Sequence, residues 1–181
     1  MSEAAAVLLM GDPRLRVRSR EIERFDDREF QAALAPLAAT LKAFRDRYGF
    51  GRAISAPQIG VPLRLIAANL GQGTFFLVNP VITWKSGETF TMWDDCMSFP
   101  DLLVRVRRHR SMSLDYVDES GRAQRWESMD RAPAELLQHE IDHLDGVLAV
   151  DRAIDRESLV VKAELDAKRE QFRAMVDYVI G

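Results

Sequence analysis

The chain has 181 residues, 47% of them apolar and 29% charged, with a formal net charge of −3. That length suits one domain with a sizeable core and is short for two, so a single unit over residues 1–181 is expected. The balance is that of a soluble globular protein, and the mild negative charge excludes a general polyanion-binding surface.

In chain order, the start MSEAAAVLLMGDPRLR carries a short apolar run with no basic residue before it, so it does not read as a signal peptide. No stretch reaches membrane-spanning length, so no membrane partner and a cytoplasmic location are expected. From Asp27 to Tyr48, Phe30, Leu34, Leu37, Leu41 and Phe44 fall at helical spacing, and Gly49 and Gly51 stop the helix. A loop punctuated by glycine and proline follows, Gly51 to Pro62. Six strand-like runs come next: Arg64–Asn69, Thr74–Val78, Val81–Lys85, Val104–Arg108, Ser111–Val117 and Arg122–Glu127. Asp118 to Gly121 reads as a hairpin turn. The basic cluster from Arg105 to Arg110 has no interleaved stacking aromatics; it reads as a solvated strand, and no direct nucleic-acid binding is expected.

A helix is predicted from about Arg131 to Leu144, with Asp130 as N-cap, Pro133 in its first turn and Gly146 as terminator. A last helix is predicted over roughly Glu157 to Val179, with the stripe Val161, Leu165, Phe172, Val176 and Val179. The order of helix, short strands, helix and helix indicates an α+β fold with helices packed on antiparallel sheet.

Within the helix predicted at Arg131–Leu144 stands His139-Glu140-Ile141-Asp142-His143. Residues four apart share one helix face, so His139 and His143 can aim their imidazoles at one metal ion. Glu140 is then placed to reach a water on that metal and act as its base. The chain has three histidines in all, and two hold this spacing. Two imidazoles need a third ligand. The residues offer Cys96, the sole cysteine, or a downstream carboxylate, Glu157 or Glu164, as in thermolysin-like peptidases. Taken alone, Cys96 also suits a small buried hydrophobe.

Three segments together decide between these. They are Gly51-Arg52-Ala53-Ile54-Ser55-Ala56-Pro57-Gln58, Asp94-Asp95-Cys96-Met97-Ser98 and Gln138-His139-Glu140-Ile141-Asp142-His143. In this order the chain resembles the peptide deformylase family, whose motifs are GxGxAAPQ, EGCxS and QHExDH. Gly11-Asp12-Pro13-Arg14-Leu15-Arg16 also resembles that family's usual start. The resemblance implies antiparallel sheets around a central HExxH helix, with N-terminal and C-terminal helices. It implies one divalent metal held by Cys96, His139 and His143, Fe²⁺ first, with Zn²⁺ or Ni²⁺ accommodated. Glu140 would be the general base, Gln58 and the Met97 N–H would stabilise the oxyanion, and Gln138 would support the site. The substrate implied is the N-terminal formyl-methionine of new polypeptides, met at the ribosome. The rival readings are a thermolysin-like peptidase and a metal- or peptide-binding relative without turnover, against which an intact Glu140 argues.

The chain departs from the motifs at four places. Ala53 stands for a glycine, Ser55 for an alanine, Asp94 for a glutamate and Asp95 for a glycine. Helical spacing also places Glu135 one turn, and Ala132 two turns, before His139. In a deformylase that surface lines the pocket for the first side chain. The expected substrate-binding set is therefore Gly51, Ala53, Asp95, Ala132 and Glu135, with an unpaired Glu135 carboxylate favouring a polar or cationic group over methionine.

Overall fold

A computed structural model describes residues 3–180 of the chain; Met1 and Ser2 of the apolar start lie outside them. Helix α1 spans Arg28–Tyr48. The Asp27 carboxylate accepts the Glu29 N–H at 2.8 Å to open it, and Gly49, at φ 74°, closes it. Its buried side, Phe30, Leu37, Leu41 and Phe44, packs on Ile54, Leu65 and Val78.

Those partners belong to a five-stranded antiparallel sheet in the order β1-β2-β3-β6-β7. The strands are β1 Ala53–Ser55, β2 Leu65–Asn69, β3 Thr74–Lys85, β6 Met112–Val117 and β7 Ala123–Met129. The two runs predicted at 74–78 and 81–85 are one strand, β3, interrupted by a bulge between Val78 and Val81. At the bulge Asn79 takes φ 49°, and its side-chain amide bonds both the N–H and the carbonyl of Ile22. A second sheet has the order β4-β5-β8, with β4 Thr89–Asp95, β5 Leu102–His109 and β8 Leu159–Val161.

Helix α2, Arg131–Leu144, packs against both sheets, touching β1 on one side and β5 on the other. Ala134, Leu137, Ile141 and Leu144 join the core formed with Ile66, Leu77 and Leu114. Asp130 has the extended backbone of an N-cap, but its side chain makes no capping bond; its carbonyl accepts the Ala134 N–H.

Three expectations need correction. Strands β1 and β4 were not predicted, the first lying inside the Gly51–Pro62 segment read as loop. The long C-terminal helix is absent. In its place β8 pairs with β5, and two short helices follow, α3 Lys162–Ala167 and α4 Arg169–Arg173. The next residues run alongside β4, where the N–H groups of Asp177 and Tyr178 donate to the Thr91 carbonyl. Tyr178 packs edge-on to Phe90 under the Arg131 guanidinium. Pairing to two sheet edges outweighs a periodic apolar stripe, because a helix draws most of its stability from packing its apolar face, and here the sheet edges supply both packing and backbone partners. Among the described residues no helix is long and apolar enough to cross a membrane.

Candidate active site

Helix α2 presents His139, Glu140 and His143 on its buried side, where β4 ends and hands Cys96 into the same space. The Cys96 Sγ lies 3.2 Å from His143 Nε2, and that nitrogen lies 3.2 Å from His139 Nε2. One ligand atom from each residue falls within 4.8 Å of the others. A tetrahedral ion with bonds of about 2.0–2.3 Å keeps its ligand atoms roughly 3.3–3.6 Å apart, close to these spacings. A buried thiol facing two imidazoles is a donor set for Fe²⁺ or Zn²⁺ rather than for a hard cation. Glu157 and Glu164 are elsewhere: Glu157 is exposed, and Glu164 pairs with Lys168 on the surface.

His139 is aimed from behind. Its Nδ1 lies 3.1 Å from Asp94 Oδ2, so an N–H there donates to the carboxylate and leaves Nε2 free for a metal. Asp94 in turn accepts from Arg108 Nη2 at 2.9 Å, and Arg108 Nη1 donates to Asp142 at 2.5 Å. Burial would raise the Asp94 carboxyl, but His139 and Arg108 hold it well below the usual range. Burial would likewise lower His139, and Asp94 outweighs it, holding the imidazole well above its usual range. His143 is held well below the usual imidazole range by burial and by His139. Aspartate for glutamate at position 94 therefore preserves an orienting carboxylate rather than adding a charge toward the substrate.

Glu140 has the opposite surroundings. Its Oε2 is buried with no hydrogen-bond partner, and burial pushes the carboxyl up to about 7 against the pull of His139. Ser55 links to Gln58, whose Oε1 accepts the Ser55 N–H at 2.9 Å and its hydroxyl at 3.0 Å. Gln58 Nε2 points to Cys96 Sγ at 3.7 Å and Ser98 Oγ at 3.3 Å. The extended N-terminal segment braces this arrangement, with Leu8 N–H donating to the Gln58 carbonyl and Met10 N–H to that of Ser98.

These groups open into a cavity of about 200 Å³. Gly51, Ala53, Asp95, Met97 and Glu135 line it, as does Arg52, which the sequence reading passed over. Gly51 has φ 107°, a conformation that strains any other residue, and a Cβ there would also make Met97 Cε, 2.5 Å away, give way. Ala53 is ordinary strand, so its missing glycine costs no special backbone angle. Two expectations fail. Ala132 does not line the cavity; its carbonyl instead accepts from Arg52 Nη1 at 3.2 Å. Glu135 is not unpaired, because Arg52 Nη2 forms an ion pair with it. Burial still carries the Glu135 carboxyl up to about 7, against the pull of Arg52. Burial, reinforced by Asp94, also raises Asp95. Gln138 does not touch the ligands; its amide bonds the N–H and carbonyl of His109 at 2.9 Å each and pins α2 to the end of β5.

Comparison with known proteins places this geometry. The model of the family described as polypeptide deformylase matches residues 4–158. The chain belongs to the polypeptide deformylase family. A peptide deformylase of Brucella suis is 34% identical over 152 residues, covering 80% of this chain and 82% of that one. That of Thermotoga neapolitana is 31% identical over 159 residues, covering 88% and 93%. The crystal structure of Thermotoga maritima peptide deformylase superposes with a TM-score of 0.77 at 28% identity, covering 85% of this chain and all of that one. A Synechococcus elongatus peptide deformylase, crystallised in complex with actinonin, also gives 0.77 at 30% identity, with 95% and 87% covered. Deformylase membership and the Cys96, His139, His143 cluster together set the thermolysin-like reading aside.

Proposed function

We propose that this chain is an iron-dependent hydrolase that removes the formyl group from N-formylated polypeptides. The observation that carries the reading is the convergence of Cys96, His139 and His143 beside a buried, poorly compensated Glu140 in a deformylase fold. Fe²⁺ is the proposed ion, with Zn²⁺ or Ni²⁺ able to take its place, and it supplies Lewis acidity and an acidified water. Glu140 takes the proton from the attacking water and returns it to the departing amine, giving formate and a free N-terminus. The Gln58 amide and the Met97 N–H donate to the oxygen that gains charge. Asp94 fixes the tautomer and orientation of His139. Gly51, Ala53, Asp95 and Glu135 form the substrate surface. The whole chain, residues 1–181, acts as one catalytic domain.

The cavity opens onto a groove of about 720 Å³ beside α3 and α4, suited to an extended peptide. Gly49, Phe50, Asp95 and Ile180 border both spaces. The groove supports a polypeptide substrate, which we propose to be a nascent chain met at the ribosome in the cytoplasm, with formyl-methionine the first compound to assay. The test is formate release from formyl-Met peptides by protein purified without oxygen and loaded with Fe²⁺. Cys96→Ala should lose the metal and the activity, whereas Glu164→Ala should lose neither. The Fe²⁺ form should also decay in air while Ni²⁺ and Zn²⁺ forms persist, through oxidation of the ion and of Cys96. Equal lifetimes would contradict iron as the working metal.

A further inference from the structure

The wall of the cavity one helical turn from His139 is a salt bridge between Arg52, just before β1, and Glu135 on α2. We infer that this pair selects a formylated residue whose side chain is neutral and accepts a hydrogen bond, in preference to an isosteric thioether or alkyl chain. The inference rests on the deformylase reading and narrows it.

Geometry fixes what an entering side chain meets. The formyl carbon must lie at the Glu140 and Gln58 end, so the first side chain reaches only a few ångströms, to the level of Glu135 on the same helix face. There the Glu135 side chain is sealed at 2% exposure while that of Arg52 is 26% exposed. Arg52 Nη1 and Nη2 each spend one donation, on Ala132 and Glu135, out of five N–H donors in the group. Arg52 therefore brings three uncommitted N–H donors to the cavity wall.

Either charge sign meets its like in this small space. An anionic side chain adds charge beside Asp95 and Glu140, and a cationic one beside Arg52 and Arg45. A thioether or alkyl chain would cover the guanidinium without replacing its lost solvent partners, which is unfavourable. A carboxamide of methionine's length gives Arg52 an acceptor and adds no charge. Methionine is then turned over, but less well than glutamine.

The experiment compares kcat/KM on formyl-X-Ala-Ser peptides, with X as Gln, Met, norleucine, Glu and Lys, using Fe²⁺-loaded protein. Gln should exceed norleucine by about tenfold, with Glu and Lys below Gln. In the double variant Arg52→Leu/Glu135→Leu the Gln-to-norleucine ratio should invert. Arg52→Lys, which keeps the charge and loses the planar fork, should cut the ratio several-fold and serves if the double variant does not fold. Calorimetric binding of unformylated Gln-Ala-Ser and norleucine-Ala-Ser should rank the same way. Absence of formate from every peptide would reject the hydrolase reading, and the binding order would still decide this one. Met or norleucine matching Gln in wild type, or a ratio indifferent to Arg52 and Glu135, would overturn it.

Discussion

Asp94 and Glu140 are buried carboxylates on two sides of His139, and their surroundings drive them in opposite directions. Behind the ring, Asp94 is held between the imidazole and Arg108, which is itself shared with Asp142. In front, Glu140 has an unpartnered oxygen and is carried up to about 7 by burial. A compensated carboxylate stays ionised and can only orient; an uncompensated one sits where it can both accept and return a proton near neutral pH. The same residue chemistry is thus divided into support and catalysis by what faces it.

The contrast breaks most sharply at Arg108. Arg108→Met strips Asp94 of its cation while leaving it buried, and should destabilise the protein by about 3–5 kcal/mol in urea unfolding. It should also weaken metal binding by roughly 10–100-fold, since His139 loses a firmly charged partner. A loss below 1 kcal/mol would mean that Asp94 has other compensation.

A second prediction concerns the cost of Glu140. Its folded-state carboxyl is raised from 4.5 to about 7, so the native state holds this proton more tightly than the unfolded chain. Stability of the metal-free protein should then fall as pH rises through that window. Glu140→Gln should gain on wild type by about 3 kcal/mol at the upper end and by little at pH about 4.5. Equal unfolding midpoints at both ends would show that Glu140 is not strained by burial.

The smallest effect is expected at Ser55, whose hydroxyl lowers the Glu140 carboxyl when it turns its one proton from Gln58. Ser55→Ala should move the acid limb of kcat/KM upward by about half to one pH unit. An unmoved limb would remove Ser55 from the tuning of the base.

Much of this was legible in the residues, for reasons that differ by element. The His139–Glu140–His143 arrangement follows from helical period alone, because its parts lie on one short segment. Cys96 was assigned only through resemblance, since a lone thiol carries no spacing. Arg108 carried a signal that was passed over: on β5 it falls in phase with buried Val104 and Val106. The Arg52–Glu135 pair joins residues 83 positions apart, and no local pattern announces it. Strand β4 escaped because Asp94 takes an inward position beside Phe90 and Met92, so a buried carboxylate interrupts the apolar alternation. The C-terminal helix was misread because Trp93 Nε1 donates to the Phe172 carbonyl and Thr91 holds Asp177, contacts that pull the segment onto β4.

The division between orienting and reacting carboxylate is tested most directly by Glu140→Gln at matched metal content. Both proteins are loaded with Fe²⁺ without oxygen, their iron is quantified, and formate release from a formyl-Met peptide is followed. The variant should bind one equivalent of iron as wild type does and lose about 10²–10⁴-fold in kcat. A variant that keeps its iron and turns over at near the wild-type rate would contradict the assignment of Glu140 as the base.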